Sequence, residues 1–332
     1  MQTNTHDTTV SRMDGMRLHV LASGSKGNCS VVENRLTGAL VVIDCGISKR
    51  AFMEGCAECG LDPARVEAVL VTHEHSDHVK GLGVLTRGLA RLGAHPALYT
   101  SEAVHEASAD IKALEDAVDL QHFKEDDDLA IGGMRVHAFA TSHDAAESFG
   151  FRFDAQGATV IPVVGTGMPD SARILTSTKF QIPDPVSREL RAGVQPDELK
   201  VPTSDASISI SDSLGFMTDT GIVTGGAFEA LQGCRVLAIE SNHDVDMLAN
   251  GPYPYYLKKR VGGEFGHLSN DQSAELLNSL LCNELQQVVA MHVSQNNNTY
   301  SLPPRTLSDV LNRNDHPAQA LVGYQERVLS VG

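Results

Sequence analysis

No stretch of this 332-residue chain approaches the roughly 20 consecutive apolar residues that a membrane-spanning helix requires. A membrane protein of that kind is not expected. The first fifteen residues, Met1 to Gly15, also lack the apolar segment of a secretory leader, and their polarity predicts a disordered tail on a cytoplasmic protein. Cysteine is sparse. The six residues at 29, 45, 56, 59, 234 and 282 fall short of a disulfide scaffold in a chain this long, so reduced thiols are expected. Cys56 and Cys59 form a lone Cys-x-x-Cys without the second pair a zinc ribbon needs, and they read as the end of a helix closed by Gly60. Positive charge is short too: 26 Lys and Arg stand against 42 Asp and Glu, for a net charge of −16. Polyanion binding is won mainly by neutralising phosphates, so only a local basic patch would serve it. No internal repeat is evident.

What the chain does contain is a crowd of metal-binding side chains. Thr72-His73-Glu74-His75-Ser76-Asp77-His78 puts three imidazoles and the Asp77 carboxylate within six residues, after the apolar run Val66 to Val71. That run reads as a buried strand and Gly81 to Leu92 as a helix, which predicts a strand-to-helix loop for the motif. His73 and His75 can lean toward one cation, while Asp77 and His78, offset by one residue, point toward a neighbouring position. Two ions fit better than one. Imidazole with carboxylate suits zinc, manganese or iron, whereas calcium and magnesium prefer oxygen cages.

This pattern resembles the His-x-His-x-Asp-His signature of the metallo-β-lactamase superfamily, matched by His73, His75, Asp77 and His78. Its later motifs follow in order: His143 after the strand-like Met134 to Ala140, Asp219 after Leu214 to Thr218, and His292 after Gln287 to Met291. The resemblance implies an αββα sandwich, two mixed sheets flanked by helices, where periodicity alone gives only α/β. It implies two divalent ions, zinc or manganese. His73, His75 and His143 would hold the first, Asp77, His78 and His292 the second, and Asp219 both. Two such ions make hydroxide available near neutrality, which implies hydrolysis. Retention of His75 disfavours the oxygen-reducing branch, and Asp219 stands where the commonest β-lactamases carry Cys.

Two further segments discriminate among hydrolases. Glu240, ending a strand, and His267, in Gly266-His267-Leu268-Ser269, resemble the pair used by phosphodiesterase branches similar to ribonuclease Z. There the acid orients an imidazole that protonates the leaving oxygen, as expulsion of an alkoxide demands. His243 and Asp244 read either as an outer-sphere partner and a helix cap or as substrate contacts. A closer resemblance, over most of residues 17 to 300, is to the YycJ/WalJ-like exonucleases. It rests on Leu21 to Cys29, Val71 to Gly83, Ser142 to Glu147 and Glu240 to Asp244. That family implies 5′-to-3′ exodeoxyribonuclease activity, with DNA, single-stranded or at 5′ ends, as substrate, and a role near DNA mismatch repair in some members.

Two local features bear on the substrate. The loop Ser23 to Asn28, with Lys26, reads as a phosphate-holding turn or a plain one. Tyr253 to Val261 combines tyrosines with Lys258, Lys259 and Arg260, which reads as a single-strand contact or a solvated helix. One domain is expected over 16–332, because one ligand set spans His73 to His292. Within it lies an insertion at about 155–212, rich in Pro, Ser, Thr and Asp, which enters between two ligand-bearing strand ends and reads either as a segment that shapes substrate access or as a disordered surface insertion. The alternatives to a nuclease are a small-molecule ester or thioester hydrolase, which suits the acidic surface, and a metal-holding protein without turnover.

Overall fold

Val41 and Ile43 of the strand Leu40–Ile43 join one buried apolar cluster, whereas Leu40 and Val42 join another. Successive side chains on a strand point to opposite faces, so an unbroken apolar run is a strand covered on both sides. In Val236–Glu240 the same division recurs: Val236 and Ala238 enter the first cluster, Leu237 and Ile239 a third. The cluster common to both strands fills the space between two sheets. The other two lie beneath outer helices, such as Lys49–Cys59 with Phe52 and Asn270–Leu280 with Leu277. This is the αββα sandwich.

The structure, a computed structural model, describes residues 15–156 and 211–332. The expected tail at 1–15, Gly15 apart, and nearly all of the expected insertion at about 155–212 lie outside them. The strands are β1 (Met16–Ala22), β2 (Cys29–Asn34), β3 (Leu40–Ile43), β4 (Val66–Leu70), β5 (Ala97–Thr100), β6 (Leu120–His122), β7 (Asp128–Ile131), β8 (Met134–Ala140), β9 (Phe149–Gln156), β10 (Ser211–Met217), β11 (Val236–Glu240), β12 (Gln287–Met291), β13 (Gln319–Val322) and β14 (Leu329–Val331). One seven-stranded sheet has the order β14-β1-β2-β3-β4-β5-β6 and the other β13-β12-β11-β10-β9-β8-β7. Within each sheet the run from β3 to β6, or from β10 to β13, is parallel. Their carboxyl ends share an edge, where α/β sheets place their ligands.

Among the described residues no helix is long and apolar enough to cross a membrane. The helix expected to end at Gly60 is Lys49–Cys59, capped by Ser48 and closed by Gly60 at φ 71°. Cys56 packs in the core, where burial pushes its thiol up to about 12, as an inert structural cysteine requires. The placement of the insertion differs from expectation. Its flanking residues Gln156 and Ser211 pair across β9 and β10 at the far end of those strands from His143 and Asp219. In sequence it lies between His143 and Asp219, but it does not join the strand ends nearest those ligands.

Candidate metal centre

His73 and His75 lie in the loop after β4, but Asp77 and His78 sit in a single-turn helix, Ser76–Val79. The expected strand-to-helix loop thus holds only half the motif. That turn docks on the exit of β3: Asn28 N donates to the Asp77 carbonyl at 2.7 Å, and Cys45 N to the His78 carbonyl at 2.8 Å. A Cβ on Gly46 would overlap the Asp77 carbonyl, so only glycine allows the approach. The second sheet supplies His143 beyond β8, Asp219 beyond β10 and His292 directly after β12. Asp44, Asp219 and His292 have φ of 58°, 55° and 53°. Left-handed backbone at non-glycine residues clustered at one site is strain held by its surroundings.

The chain brings two donor groups together. Ligand atoms of His73, His75 and His143 lie within 4.8 Å of one another, as do those of Asp77, His78 and His292. Asp219 stands between them, with Oδ2 3.4 Å from His78 Nε2 and Oδ1 3.9 Å from His143 Nε2. A cavity of about 240 Å³ opens there, lined by Asp77, His143, Asp219, His267 and His292 and rimmed by Tyr253, Leu257 and Arg260. A larger groove of about 1240 Å³, beside the helices Asn270–Leu280 and Leu302–Arg313, gathers no such donor set.

Four imidazoles have one ring nitrogen fixed from behind, which leaves Nε2 for the donor cluster. His73 Nδ1 meets Thr72 Oγ1 at 3.0 Å, and that hydroxyl donates to Asp44 Oδ2 at 2.8 Å. His78 Nδ1 meets the same Asp44 oxygen at 2.8 Å. His143 Nδ1 meets the Gly266 carbonyl at 3.0 Å, and His292 Nδ1 meets Glu240 Oε1 at 3.0 Å. Asp44 and Thr72 were not singled out from the sequence. The signal for Asp44 was an apolar strand ending in an acid, the same pattern that marks Asp219.

The electrostatics follow from burial and crowding. Desolvation holds His73 well below the ordinary imidazole range, and it lowers His143 too. His78 is equally buried, yet Asp219, Asp44 and Asp77 outweigh that and lift it to about 9. His292 rises for the same reason, driven by Asp219, Asp77 and Glu240. Burial opposes ionisation of Asp77, but His292 and His78 hold its carboxyl far below the usual range. Asn28 Nδ2 lies 2.9 Å from His78 Nε2, a contact that needs a lone pair there, whereas three carboxylates favour a proton. The carboxylates are charged and the amide is not, so they decide.

The residues present fit a metal. His73 Nε2, His292 Nε2 and Asp219 Oδ2 are buried and without a hydrogen-bond partner. A buried polar atom left unpaired costs about 1–3 kcal/mol. Divalent cations accept all three atoms, and nitrogen with carboxylate oxygen is the donor chemistry they take.

Glu240 is fully buried and meets four donors. Oε1 accepts from His267 Nδ1 at 2.8 Å and from His292, while Oε2 accepts from Thr220 N at 2.9 Å and Leu268 N at 3.1 Å. Burial would raise its pKa, but His267 and His292 outweigh it and keep Glu240 ionised. His267 is half-buried at the cavity wall. Asp244 caps the helix Val245–Asn250 through Met247 N at 2.8 Å. His243 is buried, and desolvation lowers it to about 4. Three amides of the Ser23 to Asn28 loop have partners within it or in the chain's last segment: Gly24 N reaches Asn28 Oδ1 at 2.8 Å, Lys26 N reaches Gln325 Oε1 at 2.9 Å, and Gly27 N reaches the Gly24 carbonyl at 3.0 Å. Those three amides brace the loop, Ser25 lines the cavity, and the loop positions Asp77 and His78 through Asn28.

Fold and donor set together are similar to those of metallo-β-lactamase fold proteins, and they are those of a metal-dependent hydrolase. The family described as beta-lactamase superfamily domain matches residues 40–177. More particularly, the chain is similar to exodeoxyribonuclease WalJ of Streptococcus pneumoniae, 28% identical over 303 residues, 91% of this chain and 90% of the relative. Exodeoxyribonuclease YycJ of Bacillus anthracis is 28% identical over 300 residues, 90% and 89% of the two chains. The solved metallo-β-lactamase fold protein YhfI from Bacillus subtilis shares the fold with a TM-score of 0.60 at 12% identity, covering 96% of this chain and all of that one.

Proposed function

We propose that the protein is a DNA phosphodiesterase, a 5′-to-3′ exodeoxyribonuclease acting on single strands or 5′ ends. His73, His75 and His143 would hold one ion and Asp77, His78 and His292 the other, with Asp219 available to both and zinc or manganese as the metal. The carrying observation is the 2.8 Å Glu240–His267 hydrogen bond at the wall of the cavity that both donor groups face. Ions bound there would lower the pKa of water and neutralise charge on the phosphate. The chain supplies the rest. Asp77, half-exposed and ionised, orients the attacking water. Glu240 fixes the His267 ring by Nδ1, so Nε2 is the atom that protonates the departing sugar oxygen. An activated thioester leaves without such a donor, which is why the pair favours a phosphodiester. Similarity to WalJ and YycJ along nearly the whole chain supports DNA as the substrate.

The test is purified protein loaded in turn with manganese and zinc, given end-labelled single- and double-stranded DNA bearing a 5′-phosphate, beside Asp77→Ala. Stepwise loss from the 5′ end, absent in the variant, is the expected result. DNA left intact under both metals would overturn the reading in favour of a small ester or thioester.

A further inference from the structure

Tyr255, Tyr256 and Phe265, at 73%, 73% and 62% exposure, are the three most exposed large apolar side chains among the described residues. They lie on one segment that ends two residues before His267. Its helix, Tyr255–Val261, buries none of its residues, although a buried face is what normally holds so short a helix. Single exposed apolar residues are ordinary, but three on one short segment mark an interaction surface. The last turn of that helix carries Lys258, Lys259 and Arg260, in a chain whose net charge is −16. Its inner side meets the cavity, which Leu257, Arg260 and Val261 line together with His267. Lys259 Nζ lies 5.1 Å from the Tyr255 ring centroid, so a π-face and a cation stand side by side.

The same segment is keyed to the proposed proton donor. His267 N donates to the Val261 carbonyl at 2.8 Å, and a Cβ on Gly266 would overlap the Arg260 and Val261 carbonyls. Ser142 Oγ donates to the Glu264 carbonyl at 2.8 Å, and Arg260 Nε pairs with Asp144 beside His143. Anything that grips the helix therefore steadies the backbone of His267.

We infer that this rim helix is a track for an unpaired DNA strand, with bases stacked on Tyr255, Tyr256 and Phe265 and phosphates beside Lys259 and Arg260, and that engagement of the track holds His267 in place. The inference rests on the phosphodiesterase reading and deepens it. Stacking needs bases whose faces are free, which selects single strands or frayed ends over intact duplex. Basic side chains on an otherwise acidic chain select a polyanion over a second copy of this protein. Tyr255 and Tyr256 are positioning residues here, because they act on the reaction through His267.

The experiment compares wild type with Tyr255→Ala/Tyr256→Ala in three readouts. The first is affinity for a short phosphorothioate-linked oligothymidylate by fluorescence anisotropy, the second kcat/KM on single-stranded DNA, the third turnover of bis(p-nitrophenyl) phosphate. Affinity should fall about ten-fold for each tyrosine removed. DNA turnover should fall with it, and the small diester should be hydrolysed as before. Unchanged oligonucleotide affinity overturns the inference, as does equal loss on the small diester. Conversion of a dimer to a monomer by the variant, with DNA affinity intact, would give the surface to a second copy and likewise overturn it. Oligonucleotide binding is read without cleavage, so tyrosine-dependent binding by a wild type that never cuts DNA would sink the nuclease reading and leave the track standing.

Discussion

One oxygen of Glu240 serves two imidazoles: Oε1 lies 2.8 Å from His267 Nδ1 and 3.0 Å from His292 Nδ1. A single buried carboxylate thus ties the proposed proton donor to a candidate metal ligand. Glu240→Gln keeps the shape but offers one acceptor oxygen and an amide that can only donate. Metal affinity should fall about 10- to 100-fold and turnover at saturating metal should fall as well. Metal titration followed by kinetics separates the two losses, and a variant that loses neither would show that the shared contact is idle.

Removal of His267 should divide substrates by leaving group. His267→Ala is expected to lose about 10²- to 10⁴-fold on DNA, whose sugar oxygen needs a proton, and far less on an aryl diester that leaves unaided. Bound metal, measured by elemental analysis, should stay at the wild-type level. Equal loss on both substrates would exclude a proton donor.

Asp44 takes three hydrogen bonds at once, from Thr72 N, from Thr72 Oγ1 and from His78 Nδ1, each at 2.8 Å. Asp44→Ala strands these buried groups and should lower the stability of the metal-free protein by about 3 kcal/mol or more. Asp44→Asn, which tolerates the left-handed backbone, should cost less. Urea unfolding measures both.

The metal-free protein should also show a particular pH dependence. Carboxylates lift His78 to about 9, above the unfolded value of 6.5. A raised imidazole pKa stabilises the fold fully below the unfolded value and ceases to as pH rises through the folded one. Urea midpoints of the chelated protein should therefore drop between about pH 6.5 and about pH 9 from this group. Metal uptake must expel that proton, so apparent affinity should climb over the same window, and calorimetry in buffers of different ionisation enthalpy should register proton release.

Much of this site was legible because its chemistry is written locally. His73, His75, Asp77 and His78 fall within six residues, and His143, Asp219 and His292 each follow, and Glu240 ends, a strand whose alternation or apolar run announces it. The run Val66 to Val71, read as a buried strand, is β4 at Val66–Leu70, since apolar residues on both faces leave little freedom. What escaped depends on contacts between remote segments. Asp44 is an unremarkable acid until β3 pairs with β4 and sets it under Thr72. The glycines of the Ser23 to Asn28 loop suggest a phosphate turn. Only the folded chain reveals that Asn28 reaches across to Asp77 and His78. The insertion was misplaced because it lies between His143 and Asp219 in sequence, although it meets β10 at Ser211, the end opposite Asp219.

His73, His75, Asp77 and His78 descend from one sheet, whereas His143, Asp219 and His292 descend from the other. Ions shared by these residues would clasp the two halves of the sandwich across its open edge, much as a buckle closes a strap. The centre is then a mechanical joint as well as a reaction vessel, and replacing one divalent ion by another of different preferred geometry alters the grip between the halves along with the chemistry.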